Sequence, residues 1–302
     1  MRKRISLLVP SRGRPKSLMR MLESALETAA RPGDIEAVLL FDDDDAESLA
    51  LQFGLLPVIR LVRPRMGMGQ LTMECIRAAT GDILIMANDD IVIRTKDWDD
   101  QVRATAQQFD DGIYLLYPND CFKSGSLPTF PIVSRHFIAN CYLEVLAEYR
   151  GGFLDIHIFE IFQRLKNSGY DRSRYLHNIE FEHLHYRTGK SEWDDTYAGR
   201  DRFGDEHNFA SLVPYRKAAS ERLRIFIESA GKTDQRIKDI EKSPISLPAF
   251  CLGLLLDTGL PVRWRFKTSA WFAARQVYRI GLCIVRAMSG SRRRAGAGTK
   301  TD

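Results

Sequence analysis

Apolar residues in the first hundred positions fall into short continuous runs, separated by longer stretches with helical spacing. Ile5 to Val9 is uninterrupted and ends at Pro10, the pattern of a strand buried on both faces. Leu18, Met21, Leu22 and Ala25 follow at helical intervals, and Arg31-Pro32-Gly33 ends that helix. Ala37 to Phe41 predicts a second strand, Val58 to Val62 a third and Ile83 to Met86 a fourth. A helix near Leu71 to Ala79 stands between the last two, after the glycine-bearing Arg65-Met66-Gly67-Met68-Gly69. Strands alternating with helices require right-handed crossovers, so the expected class is α/β: a mostly parallel central sheet with helices on both faces.

The second half is patterned differently. Ile113 to Val133 is rich in strand and turn residues, punctuated by Pro118, Gly125, Pro128 and Pro131. Phe153 to Leu165 predicts a helix with Ile156, Phe159, Phe162 and Leu165 on one face and Gly169 as its stop. Tyr175 to Phe181 predicts another strand, Glu182 to Arg202 a polar loop, and residues from Asp205 to Glu241 a mostly helical, charged region. The expected organisation is one α/β domain over 1–204, with halves 1–112 and 113–204, and a helical extension over 205–302. That extension includes an amphipathic segment at 271–288 and a disordered tail at 290–302.

Composition narrows the classes. The chain has 302 residues, 44% of them hydrophobic and 27% charged, which excludes a disordered protein or a fibrous rod. Its five cysteines, odd in number and without C-x-x-C spacing, fit a reducing compartment rather than a disulfide framework or a zinc ribbon. The longest uncharged run, Ser243 to Leu256, has fourteen residues and two prolines, against about 20 needed to span a bilayer. The apolar run after Met1-Arg2-Lys3-Arg4 is too short for a signal peptide, so a cytoplasmic chain is expected, at most peripheral to a membrane. The net charge of +5 is uneven: from Pro261 onward ten Lys/Arg stand against Asp302 alone, whereas the preceding residues are slightly acidic. That distribution argues against nucleic-acid binding, which calls for basic charge across a recognition face.

Two acidic clusters follow strands two and four: Asp42-Asp43-Asp44-Asp45 and Asn88-Asp89-Asp90. At the carboxyl edge of a parallel sheet both point to one crevice. Converging carboxylates repel unless a cation or a donor-rich ligand joins them, and hard oxygen ligands suit Mg²⁺ or Mn²⁺ shared with a diphosphate. The same residue types also serve as helix caps and turn formers.

At these residues the sequence resembles family 2 nucleotide-sugar glycosyltransferases with the GT-A fold. Val9-Pro10-Ser11-Arg12-Gly13-Arg14-Pro15 looks like that family's first strand and loop, and Phe41-Asp42-Asp43-Asp44 like its second-strand acidic pair. Cys75 to Asp82 followed by Ile83 to Asp90 is similar to its run of helix, Gly-Asp, strand and D-x-D, with Asn88 departing at the first position of that motif. The resemblance spans about Ile5 to Tyr197. It implies a metal-dependent transfer of a sugar from a nucleoside-diphosphate donor to a saccharide or glycoconjugate acceptor, with inversion. Pro10, Ser11, Arg12, Asp42, Asp43, Gly67, Asn88 and Asp89 are expected to bind the nucleotide sugar. Asp90 is expected to bind the metal, joined by His183 or His185 of Glu182-His183-Leu184-His185, with His183 preferred. Alternation along an extended segment should send these two side chains to opposite faces. Gly151-Gly152-Phe153-Leu154-Asp155 opens the expected acceptor-side helix. Asp155 is favoured as catalytic base, though it also suits an N-cap, and Glu160 is the alternative. Asp120 either touches the sugar or starts a turn.

A nucleotidyltransferase of related fold is a second reading, and a non-catalytic peripheral membrane sugar-binding protein a third. The basic, apolar segment 271–288 suits a membrane surface or packing on the rest of the protein.

Overall fold

The computed structural model describes residues 3–54, 56–141, 143–193, 203–231 and 240–295, the side chains of 282–295 excepted. Residues 194–202 of the expected acceptor loop, 232–239 of the expected helical region and 296–302 of the tail lie outside the described residues.

The four apolar runs become strands β1 (Ile5–Ser11), β2 (Ile35–Asp42), β3 (Val58–Arg63) and β4 (Ile83–Met86). Every residue of β2 and β4 is buried, as continuous apolar strands require when helices cover both faces. Four more strands complete the sheet: the short β5 (Ile91–Ile93), β6 (Leu115–Asn119) and β7 (Ile132–Ser134), and the longer β8 (Ser173–His183). The order is β3-β2-β1-β4-β7-β6-β8-β5. The four strands β3, β2, β1 and β4 are mutually parallel; beyond them β7 is antiparallel to both β4 and β6, β8 is parallel to β6, and β5 is antiparallel to β8. It follows from this sequence of directions that β1, β2, β3, β4, β6 and β8 all end at one edge.

The helices are α1 (Pro15–Glu27), the single turn α2 (Ala46–Leu49), α3 (Met68–Ala78), α4 (Trp98–Ala106), α5 (Arg135–Asn140) and α6 (Leu154–Asn167). Then come α7 (Asp205–Ser211), α8 (Val213–Glu228), α9 (Leu247–Leu256) and α10 (Val262–Ala295). Ile5, Leu7 and Val9 of β1 join Leu18, Met21, Leu22 and Ala25 of α1 and Trp98, Val102 and Ala106 of α4 in one apolar cluster. The alternation of β1 turns its other residues to the opposite face, and α3 packs against β1 and β2.

The described chain forms two compact units, 1–244 and 245–302. This division differs from the expected one at 204 because α8 packs on α6: Arg216 of α8 pairs with Glu160 of α6 at 3.0 Å, both fully buried. Residues 290–295 of the expected disordered tail are helical instead, within α10. No described helix is long and apolar enough to cross a membrane.

Candidate active site

The strand order reverses between β1 and β4, because β1 is followed by β2 and β3 on one side and by β4 on the other. In an open parallel sheet such a switch point leaves a crevice at the carboxyl edge. Ser11, the last residue of β1, donates its hydroxyl to Asp89, just past β4, at 2.7 Å across that crevice. Arg14 closes the same junction, with Nη1 at 3.2 Å from Asp89 Oδ1 and 3.7 Å from Asp90 Oδ2. On the other side of β1, Arg12 donates to Asp42 at 2.6 Å and chelates both oxygens of Asp44. Asp45 accepts the Gly13 amide at 2.7 Å while capping α2 through the Ser48 amide. The Ser11–Gly13 loop is therefore held by carboxylates from both acidic clusters.

After Asp90 the chain reverses into β5, and Ile91 pairs with His183, the last residue of β8. His183 Nε2 lies 3.3 Å from Asp90 Oδ2. The strand ends there because the His185 amide bonds back to the His183 carbonyl at 2.9 Å, a turn closed over one residue. That turn overrides the alternation expected from sequence: both histidines are buried, with ring centroids 5.1 Å apart. His185 Nδ1 accepts the Arg187 amide at 3.1 Å, leaving His183 as the ring against Asp90. Asp120, at the end of β6, accepts the amides of Phe122, Lys123 and Ser124 and the Thr129 hydroxyl, while its carbonyl takes the His183 amide. Of its two expected roles, the turn is the one the structure places.

Electrostatically the rim is carboxylate-rich. Burial pushes the Asp89 carboxyl up most strongly; Arg14 pulls it down, Asp90 pushes it up again and Ser11 pulls it down, leaving it at about 6. On the Arg12 side, hydrogen bonds to Asp44 and Asp42 drive the guanidinium pKa upward, and Arg12 in turn holds the Asp44 carboxyl below its ordinary value.

A carboxylate oxygen of Asp90 beside an imidazole nitrogen of His183 is a donor pair that suits a hard divalent ion. Among the described residues no group of three His, Cys, Asp or Glu side chains could enclose an ion.

Other expected residues lie elsewhere. Gly67, expected to bind the nucleotide sugar, lies with its neighbour Gly69 in a segment packed on residues 146–150: the amides of Met68 and Gly69 bond the carbonyls of Arg150 and Tyr149 at 3.0 and 2.9 Å. A Cβ on Gly69 would stand 1.8 Å from the Leu146 carbonyl oxygen, so close packing demands this glycine. Because α3 follows the rim end of β3, these bonds bring residues 149–153, and with them the start of α6, to the carboxyl edge. Asp155 is half-buried in the first turn of α6, whose N-cap is Phe153, so Asp155 is not the cap. Phe153 has φ 68°, a left-handed conformation costing about 1–3 kcal/mol, and Asp205 over-determines it by accepting the amides of Arg150, Gly151 and Gly152 at 2.8, 2.8 and 2.9 Å. Glu160, the alternative base, is fully buried between Arg164 at 2.7 Å and Arg216 at 3.0 Å. Burial alone would raise its pKa, but Arg216 and Arg164 outweigh that and hold it below the ordinary value. This carboxylate has no access to an acceptor. Asp43 is exposed and its amide bonds the Arg63 carbonyl at 2.8 Å, while Pro10 and Asn88 are half-buried beside the crevice.

The sequence profile of the family described as "Glycosyl transferase family 2" matches residues 6–129, the segment that builds the crevice from β1 through β6. No curated protein is significantly similar to the chain. Among solved structures, the chain is similar to a mannosyltransferase from Pyrobaculum calidifontis in complex with GDP-Man and Mn²⁺, at 14% identity over 96% of this chain and 81% of that one, with a TM-score of 0.47. It is also similar to a mycobacterial protein, at 12% identity over 72% and 75% with a TM-score of 0.44, and to GalNAc-T7 with UDP, GalNAc and Mn²⁺, at 22% identity over 39% and 23% with a TM-score of 0.31. The match to this family profile thus lies on the part of the mostly parallel α/β sheet that builds the crevice.

Proposed function

We propose that this protein transfers a glycosyl group from a nucleoside-diphosphate sugar to a hydroxyl of a saccharide or glycoconjugate acceptor, with inversion, using Mg²⁺ or Mn²⁺. The observation that supports this most is the junction of Ser11, Arg14, Asp89, Asp90 and His183 at the switch point of the sheet. Ser11, Arg12 and the Asp42–Asp43 segment border the side of the crevice suited to a nucleotide. Asp90 and His183 would hold the divalent ion, which supplies Lewis acidity and charge neutralisation toward the departing diphosphate. Asp89, hydrogen-bonded to Ser11 and Arg14, fixes the loop that presents Asp90.

On the acceptor side, Asp155 receives the proton of the acceptor hydroxyl as its oxygen attacks the anomeric carbon and the bond to the diphosphate breaks. One displacement needs one base and inverts the anomeric centre. Asp205 positions that base by fixing the loop before α6. Contact with a membrane surface, expected for residues 271–288, concerns the second compact unit and is independent of this chemistry.

A panel of UDP- and GDP-sugars, assayed for thermal shift and turnover with and without Mn²⁺, tests the reading. Release of nucleoside diphosphate is expected. Release of pyrophosphate would identify nucleotidyl transfer instead, and metal-independent binding of every donor would overturn the assignment of Asp90 and His183.

A further inference from the structure

Both helices of the second compact unit leave apolar faces uncovered. In α9, Leu247, Phe250 and Leu254 are buried, whereas Leu252 and Leu256 on the other side are 59% and 69% exposed, and the helix contains no charged residue. A helix that is apolar all round belongs in a covered position. In α10, Val262, Phe266, Ala270, Ala273, Val277 and Ile280 recur at steps of three and four residues, and all six are exposed, Phe266 by 63% and Val277 by 72%. At 3.6 residues per turn these positions form one stripe about 80° wide along five turns. The packed side of α10 is a different one: Phe272 meets Phe250 edge to face at 5.0 Å, Ser269 donates to the Cys251 carbonyl at 3.3 Å, and Arg265 to the Leu255 carbonyl at 3.2 Å. Arg263 and Lys267, both exposed, border the stripe. Beyond them come exposed Tyr278 and Trp271, the latter carrying the Arg275 guanidinium 4.9 Å above its ring.

Charge selects the occupant. From Pro261 onward ten Lys/Arg stand against one acid. A second copy laid on this face would bring two cationic borders together, which is unfavourable. An anionic lipid surface instead accepts the stripe among its acyl boundaries and the cations among its headgroups, with tyrosine and tryptophan at the level they favour. With no described helix long and apolar enough to cross a bilayer, the fitting arrangement lies in the surface plane.

We propose that the second unit docks on an anionic membrane surface through the Val262–Ile280 stripe of α10, with Leu252 and Leu256 of α9 adding apolar contact. The contact starts nine residues before the segment 271–288 expected from sequence and uses a face that Trp271 only borders.

The test is flotation of the full-length protein with vesicles of phosphatidylcholine alone or mixed with phosphatidylglycerol, at low and high salt. Flotation with the anionic vesicles, weakened by salt, is expected. The exposed-site variant Phe266→Asp/Val277→Asp/Ile280→Asp should lose more than about a hundredfold in partition. Arg263→Ala/Lys267→Ala should lose roughly fivefold for each cation removed. Both variants should keep the thermal transition and nucleotide-sugar turnover of the parent. Unchanged partition of the triple variant, equal binding to neutral vesicles, or a concentration-dependent dimer abolished by the triple variant without any vesicle binding would each overturn the proposal.

Discussion

Two of the groups of buried carboxylates and arginines in the first unit, around Glu160 and at the sheet rim, have opposite charge balance. Around Glu160 one carboxylate meets two guanidinium groups, and all three side chains are withdrawn from solvent. At the sheet rim two adjacent carboxylates, Asp89 and Asp90, share one guanidinium from Arg14, with His183 against Asp90. The first group is complete: its carboxylate is held below its ordinary pKa and it locks α8 to α6. The second is carboxylate-rich, and Asp89 is pushed up to about 6. A buried ion pair with its charges matched is a structural device, whereas an excess of carboxylate at a switch point accommodates a further cation. Burial and ion pairing occur in both; only the stoichiometry separates a fastening from a site.

Substitutions can break this contrast, and the largest effect should come from the acceptor side of the rim. Asp155→Asn should lower kcat by about 10²- to 10⁴-fold, the usual worth of a positioned base, while leaving metal-dependent donor binding intact by calorimetry. Parent-like turnover in that variant would transfer the role of base elsewhere. Glu160→Ala leaves Arg164 and Arg216 buried without their counter-charge, which costs about 3–5 kcal/mol, or roughly 10 °C in the melting temperature of a domain this size. What remains folded should turn over normally at low temperature; a stable but inactive Glu160→Ala protein would mean that the matched group is catalytic after all.

The next effect is smaller and sharpens the contrast rather than breaking it. Asp205→Ala removes the acceptor for three backbone amides before α6. It should lower kcat by roughly tenfold or more through misplacement of Asp155, with the donor KM unchanged. A shift in donor KM alone would place Asp205 on the wrong side of the site.

The smallest effect concerns pH. His157, buried and bonded to the Tyr149 hydroxyl at 2.9 Å, has its pKa driven well below 6.5, by burial first and by Arg216 second. The unfolded chain therefore takes up a proton that the folded one refuses, so stability should fall as pH drops below about 6.5, by at most about 1.4 kcal/mol per pH unit. Glu160 adds a second decline: the stability from its lowered pKa is present above the ordinary 4.5 and is lost as pH falls through the folded value. Melting temperatures flat between pH 7.5 and 5 would contradict the first step.

The legible part of the site was the part set by local pattern. Continuous apolar runs located β1, β2, β3 and β4, and their ends necessarily placed Ser11, Asp42 and Asp90 on one edge, because parallel strands share a carboxyl side. The three residues of β5 are too few for periodicity to register. Arg14 lay within the quoted Ser11-Arg12-Gly13-Arg14 loop, and the chain spacing of two arginines does not say which one crosses to Asp89. Glu160 and Asp155 occupy the same helix, and the difference between them comes from Arg216, fifty-six residues on, which no local signal announces. Asp205 is equally remote from the loop it holds. The histidine pair deceived for a local reason: alternation applies only while the strand continues, and it stops at His183.

If the rim takes a divalent ion together with a diphosphate, calorimetric titration of the full-length protein with UDP and with GDP measures it directly. At least one nucleotide should bind in the presence of Mn²⁺, lose most of its affinity on chelation, and fail to regain it in Asp90→Ala at any metal concentration. Binding of equal strength in parent, chelated parent and Asp90→Ala would contradict the claim.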